Sequence, residues 1–328
     1  MGSEIRNGFP GIRTTCAVIC ILASAGCGVR PDVVHRSPDA GGVGAVGGDL
    51  RLRVMEPDPE VIDAYLQSGA DEARGHELTA AEWALVERAI ADLPPSLQRV
   101  LEQRLARLSF IEAPGSAGTA LTRSFTGPDG REMFEITVRA DVLDASLTEF
   151  LTRKEQSLFV DDGSGYTVHV LAGDMPALTY LLMHEATHVL DRAYGVTSDV
   201  RPFAAIWPDY RTLAEPMASG ILGATPYRRA PPLPSARMPE LYRALAASPF
   251  VSLYSTASAG EDFAELTAWS ELANRFAVPL AVEVRDRLGK PVYTLRPLET
   301  PAVQVRMAMV GPLIAGAPTC GSEGRAGL

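Results

Sequence analysis

The sequence predicts a single α+β domain, with a small mixed sheet over a central helix and a mostly helical C-terminal part. Strand patterns and a hairpin turn precede the central helix, and capping boxes at Thr79 and Ser258 begin further helices. Hydrophobic residues make up 46% of the 328 residues, which is enough for a sizeable core. The formal net charge is −10 and the basic residues form no stripe, so we expect no nucleic-acid partner.

Residues 1–26 are typical of a bacterial lipoprotein signal. Two arginines precede a short apolar run that is too short to span a bilayer. The segment Ser24-Ala-Gly-Cys27 resembles a lipobox, in which the thiol of Cys27 is acylated, although Ser24 replaces the usual leucine. We therefore expect an exported protein that lipid anchors to the cell envelope, on the periplasmic side or at the cell surface. A plain secretory signal and a cytosolic tail are the alternatives.

The remaining chain divides by composition. Residues 27–54 are rich in Gly, Pro and Asp and have no apolar period, which predicts a flexible tether. The folded domain is expected over residues 55–315, and the Gly-rich residues 316–328 are expected to form a disordered tail.

Local signals predict the elements before the central helix. A capping box at Thr79 begins a helix that ends at Pro94-Pro95, and a second helix and a strand follow to Glu112. A Gly-Pro-Asp-Gly turn at 127–130 predicts a hairpin. Residues 143–158 are expected to form a helix, or a helix and a loop, with a solvated charged face. That face consists of Asp144, Glu149, Arg153, Lys154 and Glu155.

A strand at 166–172 leads into the central helix, for which Asp174 is the expected N-cap and Gly195 the expected C-terminal residue. Residues 196–238 are rich in proline and predict a long loop. After it we expect a short helix at 240–247, the helix that begins at Ser258, a second hairpin at 280–295 and a last helix at 302–313.

The central helix contains the sequence His184-Glu-Ala-Thr-His188. Residues four apart lie on one face of a helix, so His184 and His188 can bind the same zinc ion. Glu185 can then take a proton from a water whose pKa the zinc lowers to about 7. The chain contains only five histidines, which makes a chance match rare. The sequence therefore predicts one catalytic Zn²⁺.

A catalytic zinc needs a third protein ligand and an open position. The metzincin pattern would place that ligand at 194, where Tyr194 stands instead of a histidine. Glu261 and Glu265 lie four apart on a predicted helix, so one can bind zinc while the other contacts the outer nitrogen of a ligand histidine. Glu261 is the favoured ligand, and Glu265 is the alternative. A fourth ligand, Asp191, Asp262 or a residue of the proline-rich loop, would close the site.

These motifs resemble the gluzincin metallopeptidases, most closely the anthrax lethal factor catalytic domain and its bacterial relatives. The resemblance rests on the His-Glu-x-x-His helix followed by Gly195, and on Tyr254 followed by Glu261-Asp-Phe-Ala-Glu265. It implies a zincin-like fold and Glu261 as the third ligand. It also implies that Tyr254 helps to stabilise an oxyanion and that Asp191 steadies the site.

The resemblance implies hydrolysis of peptide bonds in a peptide or protein substrate, with Glu185 as the general base. His169 lies on the strand that we expect to run beside an extended substrate. A half-exposed strand residue is the favoured interpretation of His169, and donation to the oxyanion is the alternative. Two other functions fit the same residues. One is a non-catalytic zinc-binding lipoprotein with a closed site, and the other is a zinc amidase that acts on cell-wall peptide.

Overall fold

A computed structural model describes residues 48–115, 118–199 and 201–315. The predicted signal peptide with Cys27, most of the tether and the tail at 316–328 lie outside the described residues. Residues Leu50–Arg53 form a 3₁₀ turn in which Leu50 is buried, so the folded part begins before the predicted boundary at residue 55. Among the described residues, no helix combines the length and hydropathy needed to cross a bilayer.

The chain is an α+β protein with small mixed sheets. The α-helices of the described residues are α1 (Pro59–Gln67), α2 (Ala80–Ala91), α3 (Pro95–Arg104), α4 (Leu147–Gln156), α5 (Ala177–Tyr194), α6 (Val196–Asp199), α7 (Arg201–Ala204), α8 (Met238–Ala246), α9 (Ala259–Phe276) and α10 (Pro301–Ala315). The strands are β1 (Arg74–Gly75), β2 (Leu105–Glu112), β3 (Ala120–Thr126), β4 (Glu132–Arg139), β5 (Phe159–Val160), β6 (Thr167–Leu171), β7 (Leu233–Pro234), β8 (Ala281–Arg285) and β9 (Pro291–Leu295). The predicted α2, α3, α9 and both hairpins are confirmed.

The main sheet has the strand order β1-β2-β4-β3. Strands β2 and β4 are parallel, whereas β3 is antiparallel to β4, with Ala120 opposite Val138 and Thr126 opposite Glu132. Strand β3 is therefore an edge strand. Helix α5 packs against β3 and β4, and also against α2, α3 and α9. This arrangement places the central helix between the sheet and the C-terminal helices.

The ends of α5 show one confirmed and one wrong prediction. Gly195 ends the helix in the left-handed conformation with φ of 66°, which glycine adopts without steric cost. At the other end the N-cap is Pro176, and no side chain caps the first turn, so the prediction of Asp174 as N-cap is wrong. The backbone N–H of Ala177 donates instead to the carbonyl of Ala145 (3.0 Å), which satisfies that amide without a cap.

A second sheet has the order β6-β8-β9. Strand β6 lies at its edge, but α4 covers that edge with a row of side chains four residues apart. The N–H groups of Val170 and Ala172 donate to the hydroxyls of Thr152 (2.9 Å) and Thr148 (3.0 Å). Gln156 donates to the carbonyl of Val168 (3.1 Å). The edge of β6 is therefore already satisfied, and an added strand would have to displace α4.

The proline-rich segment after α5 is more ordered than the predicted loop. It contains the short helices α6 and α7, several 3₁₀ turns and strand β7, which pairs with β5. Trp207, Leu213 and Leu222 of this segment are buried in the main core. Burial of these apolar side chains explains why the segment packs against the domain.

Candidate metal centre

Helices α5 and α9 pack against each other and bring the three predicted ligands together. His184 and His188 lie one turn apart on α5, and Glu261 lies in the first turn of α9. Ser258 caps α9 by accepting from the backbone N–H of Glu261 (3.2 Å). The Glu261 side chain does not close the predicted capping box, because its carboxylate contacts both histidines instead.

The three donor atoms form a nearly equilateral triangle. Nε2 of His184 lies 3.0 Å from Oε2 of Glu261 and 3.2 Å from Nε2 of His188, and the third side, from His188 to Glu261, is 3.3 Å. Ligands about 2.0 to 2.1 Å from a tetrahedral zinc ion lie about 3.3 Å from each other. The spacing and the two-imidazole, one-carboxylate donor set therefore fit a zinc ion.

Burial and neighbouring charge act in opposite directions on these groups. Burial raises the pKa of Glu261, but the charge of His188 and the hydrogen bond from His184 outweigh it, so the pKa is lowered. Burial lowers the pKa of His184, whereas its contacts with the carboxylates of Glu261 and Glu265 raise it to about 9. His184 and Glu261 are 1% and 4% exposed, while the side chain of His188 is 12% exposed, so solvent approaches on the His188 side.

Glu265 lies behind His184, where the sequence placed it. Its Oε1 is 3.0 Å from Nδ1 of His184, although the ring N–H does not point straight at the oxygen. Tyr180 also donates to Oε1, and Ser252 (2.5 Å) and Trp269 (3.2 Å) donate to Oε2. Such contacts orient a ligand histidine and select the tautomer that binds metal.

Glu185, the predicted base, is completely buried. Its Oε2 accepts a hydrogen bond from the hydroxyl of Thr122 on β3 (2.5 Å). Its Oε1 has no hydrogen-bond partner among the described residues. A buried carboxylate oxygen without a hydrogen-bond partner is energetically costly. Oε1 of Glu185 is therefore the atom at which a bound molecule would donate a hydrogen bond or a proton. Thr122 could not be predicted from the sequence, because its contact with Glu185 depends on how β3 packs against α5.

Tyr254 covers one face of His184. The two rings are stacked at 5.7 Å between centroids with an angle of 25°, and Tyr254 is 3% exposed. Tyr227, from the proline-rich segment, meets the Tyr254 ring edge-on at 4.9 Å. Burial, followed by the charge of Glu261, raises the pKa of Tyr254 well above its usual value, so its hydroxyl keeps its proton.

Two residues of the predicted solvated face are largely shielded from solvent. The side chain of Lys154 is 12% exposed and Glu155 is 7% exposed. Both follow Phe150 and Leu151 by three to five positions on α4, so they share the face that these apolar residues turn toward the core. The prediction of a solvated face is wrong for them, and Lys154 contacts Glu265 at 3.7 Å. The spacing of Lys154 and Glu155 from these apolar residues would have been enough to predict that they face the core.

His169 does not join this cluster. Its side chain lies in a surface pocket beside Thr152 and Arg153 of α4, and its Nε2 is 3.3 Å from the hydroxyl of Thr167. The strand that contacts Glu185 is β3, not the strand that carries His169. The expected position of His169 beside the substrate is therefore not supported, because β6 belongs to the second sheet and α4 covers its edge.

Two of the proposed fourth ligands, Asp191 and Asp262, are held by other partners. Asp191 accepts from the backbone N–H (2.7 Å) and hydroxyl (2.9 Å) of Thr197, which ties the end of α5 to the next turn. Asp262 accepts from Trp207 (2.9 Å) and pairs with Arg306 (2.6 Å). Asp191 thus steadies the helix end. Within the described ranges, His184, His188 and Glu261 form the one group of His, Cys, Asp and Glu side chains with metal-binding spacing.

Comparisons with family models, with curated proteins and with solved structures find no match to the chain, so its function is inferred from its own residues and their geometry.

Proposed function

We propose that the chain is a zinc-dependent metallopeptidase with a zincin-like fold. The observation that carries the proposal is the triangle of donor atoms from His184, His188 and Glu261, with the carboxylate of Glu185 on the same helix. Three protein donors, with Asp191 and Asp262 held by other partners, are typical of a catalytic rather than a structural zinc site. A zinc ion bound by these three residues would act as a Lewis acid that acidifies water and polarises a carbonyl.

The roles of the surrounding residues follow from their contacts. Glu185 accepts a proton from the attacking water and passes it to the leaving amine, which is the task of a general base and acid. Thr122 holds one oxygen of Glu185, so the other oxygen is the one that meets the water. Tyr254 retains its hydroxyl proton next to Glu261, where it donates to the oxyanion of the tetrahedral intermediate.

The edge strand β3 is the surface that aligns the substrate. It belongs to the main sheet, pairs on one side with β4 and carries Thr122 next to Glu185. An extended peptide that adds to this edge would pass beside the metal ligands. The substrate is therefore a peptide or protein segment in an extended conformation.

The lipobox-like Cys27 would place this activity at the cell envelope. Fatty-acid labelling that persists in Cys27→Ala would contradict the lipid anchor.

A non-catalytic zinc protein is the second candidate. It requires a fourth protein ligand that closes the site. Asp191 and Asp262 are bonded to Thr197, Trp207 and Arg306 instead, and this observation favours the enzyme. An amidase that acts on cell-wall peptide would use the same residues, and it is distinguished by hydrolysis of peptidoglycan fragments in place of extended peptides.

The deciding experiment compares the full-length chain with Glu185→Gln, with Glu87→Gln on the exposed side of α2 as the matched control. Zinc is measured by elemental analysis, and activity is measured on a library of fluorogenic peptides. We expect one zinc per chain in all three proteins, and a loss of about a hundredfold to ten-thousandfold in activity for Glu185→Gln alone. Stoichiometric zinc with equal activity in all three would leave the non-catalytic module as the conclusion.

A further inference from the structure

Lysine is rare in this chain. Of the 30 lysine and arginine residues, two are lysines, Lys154 and Lys290. Lys290 is exposed in the turn between β8 and β9. Lys154 lies on α4 with a side chain that is 12% exposed. An ammonium group that is largely removed from solvent is costly unless it is paired, so the contacts of Lys154 are informative.

The ammonium group of Lys154 contacts two separate parts of the metal centre. It lies 3.7 Å from Oε1 of Glu265 and donates to the hydroxyl of Tyr180 (3.3 Å), which itself donates to Glu265. It also lies 3.7 Å from the centroid of the Tyr254 ring, a close cation–π distance. Glu265 contacts Nδ1 of His184, and Tyr254 stacks on the ring of His184. A single cation therefore touches both groups that hold this histidine.

The buried negative charge beside the histidines is a second reason to assign a role to Lys154. Three buried carboxylates, Glu185, Glu261 and Glu265, surround the histidines. A zinc ion supplies two positive charges, and Lys154 supplies the third. Lys154 therefore offsets part of the buried negative charge beside the histidines, which a zinc ion alone would leave in excess. Lysine suits this role because its ammonium is a compact point charge, while the planar guanidinium of arginine is larger.

We propose that Lys154 is a positioning residue of the metal centre, which holds Glu265 and Tyr254 against His184 and offsets part of the buried negative charge beside it. The inference rests on the proposed function, since it assumes that His184 binds zinc. The contacts of Lys154 are with Glu265, Tyr180 and Tyr254. Its effect reaches the metal through the orientation of His184 and reaches the reaction through the ring of Tyr254.

The test uses the full-length chain, Lys154→Met, which keeps the length of the side chain without its charge, and Lys290→Met as the matched control. Zinc affinity is measured by competition with a chelator, and coordination geometry is measured by the visible absorption of the Co²⁺-loaded proteins. We expect zinc affinity to fall about 10- to 100-fold in Lys154→Met, the usual effect of losing a residue that orients a metal ligand. The cobalt spectrum should change and kcat should fall while KM is retained, and Lys290→Met should match the wild type.

A second measurement requires no substitution. With ¹⁵N-labelled lysine, the protein has only two side-chain amine groups, so zinc titration can be followed at each. The signal of Lys154 should shift in step with zinc binding, and that of Lys290 should remain in place. This measurement decides the question if Lys154→Met fails to fold.

The outcomes separate the two proposals. A wild-type chain that binds no zinc overturns the proposed function, and this inference with it. A wild-type chain that binds zinc, together with a Lys154→Met variant of unchanged affinity and cobalt spectrum, overturns the inference alone. A Lys154 signal that does not respond to zinc in the wild-type protein has the same consequence.

Discussion

The contact between Thr122 and Glu185 offers the sharpest test of how the site works. The Thr122 hydroxyl donates to Oε2 of Glu185 at 2.5 Å, and Glu185 is completely buried. Thr122→Val removes this donor but keeps the β-branched shape that suits strand β3. The substitution leaves all three proposed zinc ligands in place. Its effect on catalysis therefore reports on the orientation of the base.

The expected magnitude follows from the kind of hydrogen bond. A hydrogen bond to a charged group contributes about 1.5 to 3 kcal/mol. About 1.4 kcal/mol corresponds to a tenfold change in rate. Complete loss of the Thr122–Glu185 hydrogen bond therefore predicts a decrease in kcat/KM of about tenfold to somewhat over a hundredfold. We expect kcat to carry the decrease, because the bond positions Glu185 for proton transfer and does not touch the substrate.

Steady-state kinetics on a fluorogenic peptide measures the effect, and elemental analysis confirms that zinc is retained. Thr122→Ser is the matched control, because it keeps the hydroxyl and should retain most of the activity. The reasoning would be refuted if Thr122→Val had wild-type kcat/KM while Glu185→Gln was inactive. A Thr122→Val variant that lost its zinc would instead show that β3 supports the ligands themselves.

Three further predictions concern the ligand set and the stability of the fold. Glu261→Ala should abolish stoichiometric zinc binding in elemental analysis, and unchanged occupancy would transfer the ligand role to Glu265. Burial raises the pKa of Glu155 in the folded state from 4.5 to about 7. Between these two pH values the folded state binds more protons than the unfolded state. The free energy of unfolding therefore decreases as the pH rises from about 4.5 through 7. Glu155→Gln should remove this loss, which is about 3 kcal/mol at pH 8, and thermal unfolding of both proteins at pH 4.5 and pH 8 measures it. Arg306→Met should cost about 3 to 5 kcal/mol in denaturant unfolding, because it leaves a buried carboxylate without its cation, and a smaller loss would mean that the pair is better hydrated than its burial indicates.

The part of the site that follows from local geometry could be predicted from the sequence. The spacing of His184 and His188 places both imidazoles on one face of a helix, whatever the surrounding fold. The helix that begins at Ser258 could also be predicted, with Glu261 and Glu265 one turn apart. The structure brings His184, His188 and Glu261 of these two segments together with metal-binding spacing. Short-range periodicity was sufficient for this half of the site.

The other half depends on contacts between distant elements. Thr122 meets Glu185 only because β3, and not β6, is the strand that lies against α5. The sequence shows both strands clearly but does not show that α4 covers the edge of β6. Lys154 was assigned to solvent because it stands among other charged residues, although its spacing from Phe150 places it on the buried face. The run of charged residues therefore led to a wrong prediction for Lys154, whose partner, Glu265, is distant in the sequence.

The buried polar groups of α5 and α9 explain why the site depends on such distant contacts. Both helices are buried on almost all sides, so each ionisable group needs a partner from another element. Glu185 finds it on β3, Glu265 on α4 and Asp262 on α10. These contacts position the site and tie the elements together at the same time. The His-Glu-x-x-His motif alone would therefore not form the site, and substitutions on β3 or α4 can alter its chemistry while every proposed ligand remains.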